Sequence, residues 1–315
     1  MPLRIVFCGT PAFGLPSLKK LLAEPEFSVE AVITQPDRPR GRGQNPARSP
    51  IKEAALRAGL QIYQPEKIKS ADAVEFLKRV APEAVVIIAY GQIIPRDLLG
   101  IPRLGWINLH GSLLPQYRGA APVQRAILNG DTRTGLTTMR IDAGLDTGPI
   151  LGQLELEIAA DETAPELMAR MGDAGAPLVL DTVRKLGSGE IEPRPQDNVR
   201  ATLAPPLKKE EGLIDWNRPA REIYNRMRAL EPWPGTYTQF RGRLCHIWGR
   251  SMESPANSHA PEPGAIFETR GEMRLACGDA TWLRVDYIQP EGRKRMSARE
   301  FANGARISSG EKFTS

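Results

Sequence analysis

The chain has 315 residues, of which 41% are hydrophobic and 25% charged, a composition typical of ordinary soluble globular proteins. This length exceeds what one compact domain of typical size needs, and it predicts two domains. No stretch approaches the roughly 18 consecutive apolar residues that a membrane span requires, which excludes an integral membrane protein of the helical kind.

Three cysteines, Cys8, Cys245 and Cys277, lack the spacing of metal ligands and are interpreted as buried thiols. No cluster of His, Cys and carboxylate residues suggests a metal site, so no metal is expected. A strand-like apolar run begins at Leu3, which predicts that no targeting segment precedes the fold and that the protein is cytoplasmic.

The formal net charge of +5 is mildly basic. From residue 201 onward there are 18 Lys and Arg against 14 Asp and Glu, so most of the excess lies in the last third of the chain. A basic surface permits a nucleic-acid or other anionic partner. Long cationic side chains are also ordinary solvated surface, so charge alone leaves both interpretations open.

Short apolar runs alternate with helical patterns through the first half of the chain. The runs at residues 5–8, 29–33, 84–89 and 105–110 predict strands, and the patterns at 15–23, 51–58 and 73–80 predict helices. Ser49 followed by Pro50 is a typical N-capped helix start. This alternation predicts an α/β fold with a doubly wound, mostly parallel sheet, whose ligands bind at the carboxyl ends of the strands.

The turn after the first strand, Gly9-Thr10-Pro11-Ala12-Phe13-Gly14, resembles a dinucleotide-binding turn only superficially. It lacks the second glycine of the G-x-G-x-x-G pattern and has a proline in its middle. A tight strand-to-helix turn is therefore favoured over a nicotinamide site.

An irregular loop over residues 36–50 contains four arginines among glycines and prolines: Arg38, Arg40, Arg42 and Arg48. A solvated connection without a packed element is one interpretation. A mobile arm that binds phosphates is the other, because arginine offers bidentate donors and glycine allows close approach of the backbone. The residues alone do not decide between the two.

Beyond the centre of the chain the patterns predict a helix at 122–129, strands at 136–141 and 150–158, and a long helix at 163–186. A stretch rich in Gly, Pro and polar residues then predicts a linker. A helix at 220–230 and a helix at 297–302 enclose closely spaced short strands, which predict a small antiparallel barrel. The expected division is 1–187, a linker at 188–206, and a C-terminal domain at 207–315.

The chemically informative residues are Asn108, His110 and Asp146. Asn108 and His110 lie two residues apart at the end of a predicted strand, so their side chains share a face. An amide donor and an imidazole, with a carboxylate from a nearby glycine-rich turn, suit acyl-group chemistry, in which an oxyanion needs donors and an amine must lose a proton. His110 could equally be structural, and Asp146 could simply hold its turn. Ser112 lies outside any G-x-S-x-G elbow, so it is weakly supported as a nucleophile.

Two long motifs, at residues 110–122 (HGSLLPQYRGAAP) and 142–151 (DAGLDTGPIL), resemble those of the folate-dependent formyltransferases. The segment 7–11 and the arginine loop narrow the resemblance to the branch that acts on initiator tRNA charged with methionine. The resemblance runs nearly end to end. It implies 10-formyltetrahydrofolate as formyl-donor co-substrate, the α-amino group of the charged methionine as acceptor, an OB-like C-terminal barrel that binds tRNA, and a monomeric cytoplasmic protein of bacterial type.

The same resemblance assigns roles to residues. Asn108, His110 and Asp146 match the catalytic positions of the family. The folate-binding residues implied are Ile88, Ala89, Tyr90, Gly91, Gln92, Ile93, Ser112, Leu113, Leu114 and Pro115. The tRNA-binding residues implied are Arg38, Arg40, Arg42 and Arg48, among which Arg42 is expected to matter more for tRNA use than for folate binding.

Three rival functions remain at this stage. An enzyme of the same family could formylate a small amine, such as an amino sugar-nucleotide or a purine precursor. A hydrolase could release formate from the same folate. The chain could also be a non-catalytic tRNA-binding protein, although such a binder would not need Asn108, His110 and Asp146 together.

Overall fold

A computed structural model describes residues 1–40, 45–252, 262–269, 272–308 and 310–315. The polypeptide divides into two compact units. The first comprises Met1–Pro122, Arg133–Glu157 and Glu166–Pro205, and the second comprises Val123–Thr132, Ile158–Pro165 and Pro206–Ser315. Arg42, which the sequence places in a tRNA-binding loop, lies outside the described residues.

The elements follow one another along the chain as helices and strands that we number separately. The strands are β1 (Leu3–Gly9), β2 (Phe27–Ile33), β3 (Arg38–Arg40), β4 (Asn45–Ala47), β5 (Gln61–Tyr63), β6 (Ala84–Ile88), β7 (Trp106–His110), β8 (Arg118–Gly119), β9 (Arg133–Arg140), β10 (Ile150–Glu157), β11 (Leu203–Ala204), β12 (Tyr237–Phe240), β13 (Arg243–Met252), β14 (Ile266–Thr269), β15 (Glu272–Ala276), β16 (Trp282–Pro290) and β17 (Met296–Ser297). The helices are α1 (Leu15–Ala23), α2 (Pro50–Arg57), α3 (Ala71–Val80), α4 (Arg96–Leu99), α5 (Pro122–Leu128), α6 (Ala164–Ser188), α7 (Ala220–Ala229) and α8 (Ala298–Ala305).

The first unit is built on a seven-stranded sheet in the order β10-β9-β7-β6-β1-β2-β5. Strands β5, β2, β1, β6 and β7 are parallel, whereas β9 and β10 are antiparallel additions. The order changes direction between β1 and β6, so the loops after these two strands diverge at a topological switch point. The doubly wound, mostly parallel sheet expected from the sequence is therefore confirmed.

Burial explains why these segments form strands and helices. All five residues of β6 are buried, as expected for a central parallel strand covered on both faces. Helix α3 buries Ala73, Phe76, Leu77 and Val80, a spacing that puts one apolar stripe on the sheet. Helix α2 begins at its predicted N-cap, because the Ser49 Oγ accepts the Lys52 N–H at 3.1 Å.

The arginine loop contains more regular structure than the sequence suggested. Strands β3 and β4 pair antiparallel, with Arg38 opposite Ala47 and Arg40 opposite Asn45. A two-stranded ribbon therefore lies within the stretch that the sequence predicted to be wholly irregular. The backbones of Pro39 and Pro46 are paired in register in this ribbon, and proline is tolerated there because both strands of a two-stranded ribbon are edge strands.

The second unit contains a curled antiparallel sheet, a half-barrel, in the order β12-β13-β16-β15-β14, with β17 added to β16. Its core includes a cluster of three phenylalanine rings, Phe240, Phe301 and Phe313, with centroids 5.1 to 6.3 Å apart. Helix α8 begins with a capping box, in which Ser297 accepts the Glu300 N–H and Glu300 accepts the Ser297 N–H. A small barrel-like domain was the expectation from the sequence, and it is confirmed.

An ion pair in the second unit makes its stability depend on pH. The two terminal guanidinium nitrogens of Arg125 donate to the two Glu211 carboxylate oxygens, one of them at 3.0 Å. The Arg125 hydrogen bonds hold the pKa of Glu211 below its usual range, and the Lys208 N–H contributes, while burial opposes them. A carboxylate with a lowered folded-state pKa stabilises the fold above the ordinary glutamate pKa, and this contribution disappears as pH falls through the folded-state pKa.

We therefore expect Glu211→Gln to lose less stability than the wild type when pH falls from 6 to 3. The difference should be about 1 kcal/mol, a value reduced by the water that screens the partly exposed pair. Urea unfolding at both pH values measures it. Glu210→Gln, at an exposed neighbour, is the matched control and should follow the wild type. Equal pH dependence of Glu211→Gln and the wild type would contradict the prediction.

Candidate active site

The candidate site begins at the carboxyl end of β7, where Asn108 and His110 alternate with Leu109. In the sheet, Asn108 lies opposite Ile87 of β6, and His110 lies opposite Thr137 of β9. The Asn108 side chain is half-buried, and no described residue forms a hydrogen bond with its amide. The amide donors of Asn108 are therefore available to a bound molecule.

Both nitrogens of the His110 ring face hydrogen-bond acceptors. Nδ1 lies 3.6 Å from the Asp146 Oδ2, and Nε2 lies 2.9 Å from the Tyr117 carbonyl oxygen. The imidazole is only 6% exposed, so its orientation is fixed by these two contacts and by packing. The distance from Nδ1 to Asp146 is an ion-pair distance and too long for a direct hydrogen bond. A ring protonated on both nitrogens would donate to the Tyr117 carbonyl and pair by charge with Asp146.

The glycine-rich turn uses a different aspartate to hold itself together. The Asp142 Oδ1 accepts the Gly144 N–H at 2.9 Å and the Thr147 hydroxyl at 2.7 Å. This is the turn-holding role that the sequence left open for Asp146. The Asp146 Oδ2 instead accepts the Gly119 N–H at 2.9 Å and faces His110. The structure thus places Asp146 beside His110, and Asn108 lies two residues before His110 on the same face of β7.

Backbone geometry restricts which residues the turn can contain. Asp146 has a φ of +51°, in the left-handed region that aspartate tolerates better than most residues. A Cβ on Gly148 would overlap the Arg140 carbonyl oxygen, so only glycine fits there. A Cβ on Gly119, whose φ is +128°, would lie 2.6 Å from the Ala204 carbonyl oxygen. These glycines allow the close approach of backbone segments that surround the site.

The predicted folate-binding segment after β7 is held mostly by buried hydrogen bonds and apolar packing within the protein. Ser112 is fully buried, and its hydroxyl donates to the Gln116 carbonyl at 2.6 Å. The Thr137 Oγ accepts the Leu114 N–H at 3.0 Å and donates to the Ser112 carbonyl at 2.7 Å. Leu114 packs in a cluster with Met139 and Ile150. Ser112 and Leu114 therefore shape the segment, while Leu113 and Pro115 are half-buried and offer side-chain surface.

The loop after β6 is the second predicted folate-binding segment. Ile88 and Tyr90 are buried, whereas Ala89 and Gly91 are exposed and have positive φ values of +49° and +88°. Ile93 is 87% exposed. Within the described parts of the chain, the N–H groups of residues 89–93 donate no hydrogen bond. This loop therefore presents free backbone donors at the switch point between β1 and β6.

Gln35, which the sequence did not single out, fixes this loop together with Gln92. The Gln35 Nε2 donates to the Tyr90 carbonyl at 3.0 Å, and the Gln92 Nε2 donates to the Gln35 Oε1 at 3.2 Å. The Gln92 Oε1 also accepts the Ile68 N–H at 2.7 Å. Gln92 is thus engaged with the protein rather than free. Only the position of Gln35 just after a strand end could have indicated its role.

A groove of about 1020 Å³ opens beside this loop. Thr10, Gln35, Tyr90, Gly91 and Gln92 are among the residues that line it, and Arg38, Arg48 and Lys67 bring cationic side chains to it. Nearby, the hydrogen bond from Lys52 holds the pKa of Asp37 below its usual range, with a further contribution from Gln64. The backbone of Arg40 lies in β3. Arg38 and Arg48 therefore lie where an anionic substrate could reach them.

The described segments contain no group of three or more His, Cys, Asp and Glu that could hold a metal ion. All three cysteines are buried, and burial raises the pKa of the Cys277 thiol to about 12. In addition, no helix among the described residues is both long and apolar enough to cross a membrane.

Comparisons with known proteins identify the family of this chain. Residues 3–183 match the model of the formyl transferase family, and residues 206–306 match that of the formyl transferase C-terminal domain. A methionyl-tRNA formyltransferase from Solibacter usitatus is 51% identical over 99% of this chain and 98% of the relative. Another from Acidobacterium capsulatum is 47% identical over 96% of each chain.

Among solved structures, an N-formyltransferase from Helicobacter canadensis in complex with folinic acid and dTDP-3-aminofucose has a TM-score of 0.65. It is 17% identical, and the match covers 91% of this chain and 99% of that one, so it supports the fold alone. The chain therefore belongs to the formyl transferase family, with both of the family's domains present in one polypeptide.

Proposed function

We propose that the protein transfers the formyl group of 10-formyltetrahydrofolate to the α-amino group of methionine carried by initiator tRNA. The product would be N-formylmethionyl-tRNA for translation initiation. The observation that carries this proposal is the Asp146 carboxylate facing the His110 ring at the carboxyl end of β7, two residues after Asn108 on the same strand. The choice of acceptor is supported by the full-length relatives that are named methionyl-tRNA formyltransferase.

The folate would bind against the loop formed by residues 88–93 and the segment 112–115. A pterin ring offers several hydrogen-bonding groups on one edge, and the free N–H groups of residues 89–93 suit such an edge. Leu113 and Pro115 add half-buried apolar surface on the neighbouring segment. The residues present therefore fit a folate, and their individual roles are part of the proposal.

Asn108 has the role of stabilising negative charge. When the amine attacks the formyl carbon, the electron pair of the C=O bond moves to its oxygen, which becomes an oxyanion. The Asn108 amide, which no described residue engages, donates a hydrogen bond to that oxygen. A donor already in place for the developing charge is typically the largest single catalytic contribution.

His110 and Asp146 assist proton transfer. The attacking nitrogen must lose a proton, and the folate nitrogen must gain one before the C–N bond breaks and tetrahydrofolate leaves. Asp146, 3.6 Å from the His110 Nδ1, orients the ring and supplies the negative charge that a protonated ring pairs with. The Tyr117 carbonyl holds the opposite nitrogen, so the ring cannot turn away from Asp146 without losing that contact.

The tRNA acceptor would approach along the groove that Arg38 and Arg48 border. Arg40 and Arg42 belong to the same loop, and we include them as tRNA-binding residues. The C-terminal domain, which contains most of the excess positive charge, would contact the tRNA as well. We propose that residues 1–187 form the catalytic domain, residues 188–206 a linker and residues 207–315 the tRNA-binding domain. We also propose that the protein works as a cytoplasmic monomer.

A formyl-transfer assay tests this function. The purified protein would be supplied with 10-formyltetrahydrofolate and, separately, methionyl-initiator tRNA, free methionine or an amino sugar-nucleotide. We expect transfer to the charged tRNA only. Transfer to the sugar-nucleotide alone would replace the acceptor, and formate release without transfer would indicate a hydrolase.

Arg48→Ala provides a prediction about the acceptor. We expect weaker tRNA binding and a plot of log affinity against log salt that is shallower by about one, because one phosphate contact is lost. The KM for the folate should not change. Filter binding over a range of salt concentrations measures the slope. The control is Arg57→Ala, an exposed arginine on α2 away from the groove. An unchanged slope for Arg48→Ala would exclude a phosphate contact.

A further inference from the structure

Gln196 makes contacts that no sequence motif indicated. Its Nε2 donates to two carbonyl oxygens, those of Asp146 at 2.9 Å and Gly148 at 2.7 Å. Its Oε1 accepts from the Arg118 guanidinium at 3.0 and 2.7 Å. Carbonyls only accept and a guanidinium only donates, so the amide can satisfy both sides in one orientation alone. Gln196 therefore connects two loops of the candidate site.

The turn that carries Asp146 needs such support. A non-glycine residue in the left-handed region is strained and persists only where its surroundings hold it, and Asp146 is such a residue. Asp142 holds the start of this turn, where its carboxylate accepts hydrogen bonds from Gly144 and Thr147. Gln196 holds the carbonyls on either side of Thr147, at the end where the catalytic carboxylate emerges.

Backbone hydrogen bonds on both sides of Gln196 hold it in place. The Ile150 and Arg194 backbones exchange two hydrogen bonds, at 2.8 and 2.9 Å. Farther along, Thr202 bonds the backbone of residues 115, 117 and 118, and β11 pairs in parallel with β8. The segment between Arg194 and Ala204 is therefore anchored at both ends, with Gln196 between the anchors.

The two loops that Gln196 connects hold the two partners that the His110 ring has among the described residues. One loop carries Asp146, which faces Nδ1. The other carries Tyr117, whose carbonyl contacts Nε2, and Gly119, whose N–H binds the Asp146 carboxylate. Arg118 lies between these two residues, is buried, and also bonds the Asn198 Oδ1 at 2.9 Å.

We propose that Gln196 is a positioning residue that fixes the Asp146 carboxylate relative to His110. It touches neither substrate nor the imidazole and acts through the backbone of the Asp146 turn. Its effect on rate rests on the proposed formyl transfer, whereas its effect on geometry does not. A misplacement of about 1 Å in a catalytic group can cost about a hundredfold in rate.

Gln196→Glu is the sharpest variant. A carboxylate keeps an oxygen for Arg118, but its other oxygen faces the Asp146 and Gly148 carbonyls with no hydrogen to donate. We expect kcat to fall about 10- to 100-fold, with both KM values within about threefold of wild type. Gln196→Met, which removes the amide at similar volume, should act in the same direction.

Asn198→Ala is the matched control, because it removes the other oxygen that binds Arg118 and leaves the carbonyl contacts intact. It should keep kcat within about threefold of wild type. Amide hydrogen exchange of Gly119 gives a readout independent of activity. Gln196→Glu should speed this exchange about tenfold or more, because the displaced carboxylate no longer accepts the Gly119 N–H, and Asn198→Ala should not.

The outcomes separate the two proposals. An inactive wild type with every acceptor would overturn the proposed function, and Gly119 exchange would still decide the positioning role. An active wild type with unchanged kcat and unchanged Gly119 exchange in Gln196→Glu would overturn the positioning role. Equal losses of kcat in Gln196→Glu and Asn198→Ala would also overturn it, since general support of Arg118 would then explain both.

Discussion

Replacing Asn108 with alanine is expected to lower kcat for formyl transfer about 10²- to 10³-fold, the usual effect of losing one oxyanion donor. The side chain is half-buried at the end of β7, and no described residue uses its amide, so its removal breaks no internal hydrogen bond. Folding should be little affected for the same reason. Steady-state kinetics with saturating folate and charged tRNA measures the change.

The split between kcat and KM decides what Asn108 does. Loss of an interaction made only in the transition state lowers kcat and kcat/KM equally. Loss of a contact made equally in the ground state and the transition state raises KM and leaves kcat unchanged. Asn303→Ala, an exposed asparagine on α8, serves as the control and should behave as wild type. An Asn108→Ala enzyme with normal kcat and a raised folate KM would assign Asn108 to substrate binding instead.

Asp146→Asn is expected to lower kcat about 10²- to 10⁴-fold, the range typical of lost proton-transfer assistance. Asparagine retains an oxygen for the Gly119 N–H, so the turn should keep its shape. What disappears is the negative charge 3.6 Å from the His110 Nδ1, with which a protonated ring would pair. Single-turnover formyl transfer, which isolates the chemical step, is the appropriate measurement.

The same turn offers a close control for Asp146→Asn. Asp142→Asn makes an identical chemical change four residues earlier, and an asparagine oxygen can still accept from Gly144 and Thr147. We expect the Asp142→Asn enzyme to retain most of its activity. If the two variants lost activity equally, the carboxylate of Asp146 would have no special role, and the integrity of the turn would explain both losses.

Local sequence patterns predicted most of the first unit. Helix α1 has the bounds that its apolar spacing predicted, and the strands β1, β2, β6 and β7 lie where the apolar runs do. Strand β5 was missed because it has only three residues at the sheet edge, none of them buried. It is held by pairing with β2 and by Tyr63 stacking on Phe76 at 4.3 Å, contacts that no short window of sequence reveals.

The residues of the candidate site could likewise be predicted only in part. Asn108 and His110 could be assigned to one face because two residues in a strand share it. Which aspartate holds the glycine-rich turn could not be decided, since Asp142 and Asp146 both lie in it. Gln196 could not be found at all, because its partners Asp146 and Arg118 lie far from it in sequence.

The parallel pairing of β11 with β8 has a consequence for how the protein is made. It joins Leu203 to Arg118, so the backbone around Gly119 is completed by a segment synthesised long after it. Domains generally fold as they leave the ribosome, but this contact must wait until residue 204 has emerged. A nascent chain that ends at residue 187 would carry the strand with Asn108 and His110, but not the segment that braces Asp146 and Gly119.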